Sequence, residues 1–89
     1  MTAPLSVPVF NCVVNVAPPG PDGTVVATVA NLAGLAGRGK SEREALAQVV
    51  LAFKQAVAMY DVAAAPIPWI DPPTRPAAGE MQRLIAVHL

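Results

Sequence analysis

Several residue types on which common protein chemistries depend are scarce in this chain of 89 residues. Cys12 is the single cysteine, which excludes a disulfide within the chain and a metal site built from several thiolates. His88 is the single histidine. Catalysis needs a nucleophile, a base and a group that orients them, and these two residues do not supply that set. We therefore expect a protein that is not an enzyme and that uses no metal or cofactor.

Charged side chains are also few, at 13% of the chain, and the six basic residues balance the six acidic ones. Zero net charge argues against a protein whose main activity is to bind nucleic acid directly, because that affinity is electrostatic. A hydrophobic content of 54% argues against a disordered chain. A small domain with so little charge has few solubilising groups on its surface. We expect part of that surface to be covered by another chain.

The charge deficit is concentrated near the start of the chain, where Asp22 is the single charged residue among residues 1–37. Residues 1–21 have no charge at all, yet five prolines and two asparagines interrupt them and no basic residues precede them. This pattern is not typical of a signal peptide or a membrane-spanning helix. A lone cysteine fits a reducing compartment. The sequence thus predicts a cytoplasmic protein that does not contact a membrane.

Alternating apolar residues predict two strands, Pro8 to Val16 and Thr24 to Ala30. The proline-rich stretch between them ends in Asp22-Gly23, which is typical of a hairpin turn. A short third strand is predicted for residues 35–39. The residues expected to face the core from the first two strands are Phe10, Cys12, Val14, Val16, Val25, Ala27 and Val29.

A long amphipathic helix follows. Ser41 is a preferred N-cap residue, and Glu44 completes a capping box with it. The helix is predicted from about Glu42 to Tyr60, ending before Pro66. Its core-facing residues recur every three or four positions: Leu46, Val49, Val50, Phe53, Val57 and Tyr60.

The last part of the chain contains a proline-rich connection at residues 66–80 and a final strand from Gln82 to Leu89. Together these segments predict one α+β domain spanning residues 1–89. Its element order is βββαβ, with one long helix on one face of an antiparallel sheet. The other face of such a sheet is open. Val9, Val13 and Val26 would lie on that face, where we expect a homo-oligomer interface.

The segment from Gly34 to Ser41 allows two other interpretations. Gly34 and Gly39-Lys40-Ser41 match the spacing of a phosphate-binding loop, so a small-molecule or nucleotide-binding module is one alternative. The preceding buried parallel strand that such a loop requires is not predicted here. Arg38, Lys40 and Arg43 could contact RNA, but they lack interleaved aromatic residues.

Residues 27–46 resemble the HicB-like antitoxin family, in which a strand is followed by a Pro-Asp-Leu-Pro-Gly type motif and a second short strand. Here the motif reads Ala30-Asn31-Leu32-Ala33-Gly34, with alanines in place of both prolines and Asn31 in place of the acid. The later residues Gly39, Ser41 and Glu44-Ala45-Leu46 continue the pattern. Residues 65–69, which read Ala-Pro-Ile-Pro-Trp, resemble the family's connection after the helix. The likeness covers about residues 8–89.

The resemblance implies a βββαβ domain that is partly similar to RNase H and to double-stranded-RNA-binding domains. It also implies homo-oligomers and, in paired systems, binding to a small HicA-type toxin that cleaves messenger RNA and whose active site the antitoxin covers. Many family members add a DNA-binding segment, and none follows Leu89, so we expect a single-domain, orphan-like member. The matched residues are interpreted as structural, with no catalytic role: Asn31, Leu32, Gly34, Gly39, Ser41 and Glu44.

Overall fold

The computed structural model describes residues 9–88 and contains four strands and one helix in the order βββαβ. The strands are β1 (Val9–Val16), β2 (Val25–Val29), β3 (Ala36–Gly39) and β4 (Met81–His88), and the helix is α1 (Glu42–Val62). The predicted α+β fold, with one helix on an antiparallel sheet, is confirmed. The predicted boundaries are within two residues of the observed ones. Pro8 and Leu89, which were predicted as strand ends, lie outside the described residues.

The four strands form one antiparallel sheet in the order β3-β2-β1-β4. Strand β1 pairs with β4 along its whole length, from Val9 opposite His88 to Val16 opposite Met81. Its pairing with β2 is shorter and begins at Val14, opposite Val29. The two hairpin strands β1 and β2 are therefore central, whereas β3 and β4 form the two edges.

The turn between β1 and β2 contains the predicted Asp-Gly pair. Gly23 has a φ of 82°, a left-handed conformation that glycine adopts without steric cost. The backbone N–H and the hydroxyl of Thr24 donate to the carboxylate of Asp22 at 3.0 and 2.9 Å. These hydrogen bonds lower the pKa of Asp22. The carboxylate thus stabilises the turn from outside the sheet.

The hydrophobic core lies between α1 and the inner face of the sheet. Strands β1 and β2 contribute the alternating residues that the sequence predicted, and Val87 of β4 joins them. Along α1 the buried positions follow a spacing of four residues, which is the inward stripe of a helix. The helix residues in the core are Ala45, Val49, Phe53 and Val57.

Glycine in β3 allows α1 to lie directly on the backbone of this strand. A Cβ atom at Gly37 would approach the carbonyl oxygen of Ala45 to 2.6 Å and the backbone nitrogen of Val49 to 2.9 Å. Any side chain at this position would push the helix away from the sheet. The lack of a side chain at Gly37 is therefore what allows the helix and the strand to come together.

The proline-rich connection passes from one face of the sheet to the other. On the helix side, the ring of Trp69 packs at a tilt against Phe10 and Phe53, with ring centroids 6.1 and 6.0 Å apart. On the opposite side, the Nδ2 of Asn15 donates to the carbonyl oxygen of Thr74 at 2.9 Å. The connection thus covers part of the second face before it reaches β4.

By length and composition, α1 could cross a membrane. A core helix of a globular protein passes the same test, and α1 buries Val49, Phe53 and Val57 against the sheet. Its outer face exposes Leu51, Met59 and Val62 to solvent. The cytoplasmic location stays a prediction.

Candidate interaction surface

The sheet face opposite α1 has an exposed apolar area where β1 and β4 pair. Val13 lies opposite Leu84, and Val9 lies at the far end of the same ladder. Leu84 is 70% exposed and Val9 is 51% exposed. Ala86 lies on the same face, opposite Asn11. We define Val9, Val13, Leu84 and Ala86 as the β1–β4 patch.

The β1–β4 patch has no formally charged neighbour on its own two strands and face. Its polar neighbours are Asn11 and His88, which are exposed, and Asn15 and Gln82 at one end. The Nε2 of Gln82 donates to the Oδ1 of Asn15 at 3.2 Å, so a hydrogen bond between two polar side chains marks this end of the patch. Such an exposed, uncharged area on an open sheet face is typical of a protein-binding surface.

Val26, the third valine of the predicted interface, lies away from this patch. Val26 pairs with Arg38 of β3. Its backbone oxygen accepts from the N–H of Ala17, which follows Val13 by four residues in the chain. At ~3.3 Å per residue, Val13 and Val26 are separated by ~13 Å along the strands. Asn15 and Thr74 lie between them. The structure thus places Val9 and Val13 on the same face of the β1–β4 ladder as Leu84, with Asn11 between the two valines, and it leaves Val26 beside a cation.

Asn31, the central residue of the family-like motif, extends the sheet with its side chain. Where β2 ends, the Oδ1 of Asn31 accepts from the N–H of Val13 at 3.1 Å. The Nδ2 of Asn31 donates to the backbone oxygen of Asn11 at 2.7 Å. The amide group therefore replaces one peptide of a neighbouring strand. An acid at this position could accept from Val13, but in its ionised form it could not donate to Asn11. The motif residue beside it, Leu32, belongs to the core.

The segment from Gly34 to Ser41 contains a turn, a strand and a helix cap. Gly34 has a φ of 85°, and Gly39 ends β3. The hydroxyl of Ser41 accepts from the N–H of Glu44 at 3.2 Å, while the carboxylate of Glu44 accepts from the N–H of Lys40 at 2.6 Å. This is a capping box in which the acid bonds one residue earlier than usual.

These hydrogen bonds bear on the phosphate-binding alternative. A phosphate loop needs backbone N–H groups that are free to donate to the ligand. Here the N–H of Lys40 already donates to the carboxylate of Glu44, and the N–H of Arg38 donates to the Oε1 of Gln48 at 3.1 Å. The basic residues also diverge, because Arg38 lies beside Val26 on the open face whereas Lys40 lines a groove at the start of the helix.

That groove is open and has a volume of about 420 Å³. It lies where the sheet extends beyond the start of α1, and its walls are mostly apolar, with Val16, Val25 and Met81 among them. At its border, the Nε of Arg83 contacts the Oε1 of Glu42 at 2.8 Å, and both side chains are about 40% exposed. An ion pair this exposed contributes little to stability.

Cys12 and His88, the two residues that could have carried nucleophilic or acid–base chemistry, lie in different environments. Cys12 is fully buried, and desolvation raises its pKa to about 11. It is therefore protonated and unreactive at neutral pH, as expected for a structural cysteine. His88 is exposed at the end of β4, opposite Val9. Among the described residues, no three side chains of His, Cys, Asp or Glu lie close enough to hold a metal ion.

Leu84 and Ala86 were not identified as interface candidates from the sequence. The alternation of the last strand places them on the face that points away from the core. The sequence does not show which strand pairs with the last one. The signal that could have found them is the length match between β1 and β4, which are both eight residues long.

No protein-family model matches the sequence, and neither a curated protein nor a solved structure matches it significantly.

Proposed function

We propose that this chain is a non-catalytic binding protein that covers a surface of a protein partner with the open face of its sheet. The observation that carries the proposal is the β1–β4 patch, where Leu84 and Val9 are largely exposed and no charged side chain interrupts them. Burying such side chains is the main source of free energy in protein association. In this proposal the partner presents an apolar, weakly charged area of its own.

The kind of partner follows from the resemblance to HicB-like antitoxins. In that reading the partner is a small HicA-type toxin that cleaves messenger RNA, and the chain inhibits it by occlusion in the cytoplasm. The βββαβ order that the resemblance implies is present. Gly34, Ser41 and Glu44 of the matched motif serve the turn and the helix cap, which supports the interpretation that the motif is structural.

The direct test is co-purification with the product of the adjacent reading frame. Wild-type protein is expected to retain this neighbour and to restore growth when the neighbour is expressed. Val9→Lys places a charge in the β1–β4 patch and is expected to weaken both effects at least tenfold, since an unpaired charge would have to be desolvated at the interface. Val62, which is 87% exposed on α1, provides the matched control Val62→Lys.

Two outcomes would contradict the proposal. If wild-type protein neither retains the neighbour nor restores growth, the assignment to a toxin–antitoxin pair is wrong. If binding occurs but Val9→Lys and Val62→Lys reduce it equally, the β1–β4 patch is not the binding surface. Circular dichroism of both variants checks that each keeps the fold.

A further inference from the structure

Strand β4 forms a free edge of the sheet. It is eight residues long and pairs with β1 at every position, and no described strand lies on its other side. A long edge strand presents a row of unpaired N–H and C=O groups, which is a template for another strand.

The pairing pattern identifies the groups that point outward. The N–H of Ala30 bonds the carbonyl of Val13, and the N–H of Ala17 bonds the carbonyl of Val26, so odd-numbered residues of β1 point their backbone groups toward β2. Even-numbered residues of β1 therefore bond β4, and their partners there are odd-numbered. The backbone groups that point away from the sheet belong to four residues of β4: Gln82, Leu84, Ala86 and His88.

The other edge of the sheet is protected. Strand β3 has only four residues, and by the same pattern just Ala36 and Arg38 point their backbone groups outward. The N–H of Arg38 is already bonded to the Oε1 of Gln48 on α1. A short edge that is partly covered by a helix is a common defence against strand addition.

Strand β4 has none of these protections. It contains no proline or glycine, and its single charged side chain, Arg83, is held by Glu42. Its two large exposed apolar residues, Met81 and Leu84, are more than half exposed. An edge with this length and composition is expected to be paired in the functional protein.

We propose that β4 pairs antiparallel with β4 of a second copy of this chain, with Ile85 on the two-fold axis. An antiparallel pair keeps both helices on the same face only if residues of equal parity oppose each other. Centring on Ile85 places Leu84 opposite Ala86 and Gln82 opposite His88 of the second copy. This register satisfies the outward groups of all four residues, whereas centring on Leu84 leaves His88 without a strand partner.

The register is also favourable for the side chains. On the open face, each Leu84 would contact the smaller Ala86 of the other copy, so a large residue opposes a small one twice across the axis. The result is a continuous sheet of eight strands with both α1 helices on one face. The two β1–β4 patches would then lie side by side on the other face. This inference goes beyond the proposed function, because it requires no second protein.

The test compares proline substitutions at equivalent positions on the two edges. Ala86→Pro removes an outward N–H from β4 without removing a hydrogen bond to β1, and Ala36→Pro does the same on β3. Sedimentation equilibrium is expected to give a dimer for wild-type protein and for Ala36→Pro. For Ala86→Pro we expect the affinity of the dimer to fall at least a hundredfold, giving a monomer at micromolar concentration. Near-ultraviolet circular dichroism of Trp69 reports whether each variant is folded.

Amide hydrogen exchange of the wild-type protein gives a second measurement that needs no variant. The N–H groups of Leu84 and Ala86 are expected to exchange slowly at high protein concentration and rapidly on dilution. The N–H of Ile85, which bonds β1, should be protected at both concentrations. A monomer at millimolar concentration, or rapid exchange of Leu84 and Ala86 at every concentration, would overturn the inference. Equal dissociation by Ala36→Pro and Ala86→Pro would do so as well.

These outcomes are separate from those that test the proposed function. Loss of partner binding in Val9→Lys with the dimer retained would support the binding surface and leave the dimer as described. A stable dimer that binds no neighbour would support the pairing of β4 and refute the proposed partner.

Discussion

Asn31→Asp is the change that most sharply tests how the sheet is completed. The wild-type side chain is 8% exposed and bonds β1 twice, accepting from the N–H of Val13 and donating to the oxygen of Asn11 at 2.7 Å. The substitution keeps the shape and the acceptor. It replaces the donor by a carboxylate oxygen that faces the carbonyl of Asn11, so that two acceptors meet in a place with little water.

The magnitude follows from two contributions. A buried group that loses its hydrogen-bond partner costs about 1–3 kcal/mol. Desolvation raises the pKa of the introduced carboxyl above its unfolded value of ~3.9, and each unit of that rise costs about 1.4 kcal/mol at neutral pH. We expect the free energy of unfolding at pH 7 to fall by about 2–4 kcal/mol. For a domain of this size, the melting temperature changes by about 4–8 °C per kcal/mol.

The pH dependence distinguishes this mechanism from a simple loss of packing. When the introduced carboxyl is protonated, its O–H can donate to the oxygen of Asn11, which restores both hydrogen bonds. Because the folded pKa is the higher one, this stabilisation is complete below pH ~4 and is lost as the pH rises through the folded pKa. Asn31→Ala cannot recover either bond, so its deficit of about 2 kcal/mol should not depend on pH in this range.

Thermal unfolding followed by circular dichroism between pH 3 and pH 8 measures both variants against wild-type protein at each pH. The expected result is an Asn31→Asp deficit that is small at pH 3 and grows toward pH 7, beside a constant Asn31→Ala deficit. If Asn31→Asp is as stable as wild-type protein at pH 7, the side chain does not complete the ladder. If its deficit is the same at every pH, the carboxylate is not the cause.

Two further predictions concern the contact between helix and sheet and the buried thiol. Gly37→Ala is expected to lower the free energy of unfolding by about 1–3 kcal/mol, because the added Cβ would lie 2.6 Å from the oxygen of Ala45. The control Gly20→Ala meets no atom closer than 3.4 Å and should change stability by less than about 0.5 kcal/mol in chemical denaturation. Cys12, with a pKa of about 11, should resist alkylation at pH 8 until the protein is unfolded, and rapid labelling of folded protein would contradict its burial.

The elements of this fold could be predicted from the sequence because each has a local cause. The alternation around Cys12 and Val14, the Asp22-Gly23 turn and the capping box at Ser41 each depend on neighbours within a few residues. Period and capping are properties of the local chain, and they were sufficient for the order βββαβ. The buried cysteine was predicted on the same basis.

The candidate surface could not be predicted in the same way, because it depends on which strands are neighbours. Val13 and Leu84 are 71 positions apart in sequence and directly opposite in the sheet. Their contact is fixed by the return of the chain through the proline-rich connection, whose course depends on long-range contacts such as Trp69 with Phe53. The role of Asn31 was missed for a related reason, since its side chain bonds the backbone oxygen of Asn11, 20 residues earlier in the chain.

The shortage of charge in residues 1–37 has a physical explanation in the strand order. Among the described residues of this segment, strands β1 and β2 occupy the centre of the sheet, where α1 buries their inward-facing side chains and the proline-rich connection covers Asn15 on the other face. A covering partner is therefore not needed for the whole segment. The β1–β4 patch and the outer edge of β4 are among the parts of the sheet that remain uncovered. Because both features lie along the same strand, pairing of β4 would remove the edge and would double the width of the patch that is left for a partner.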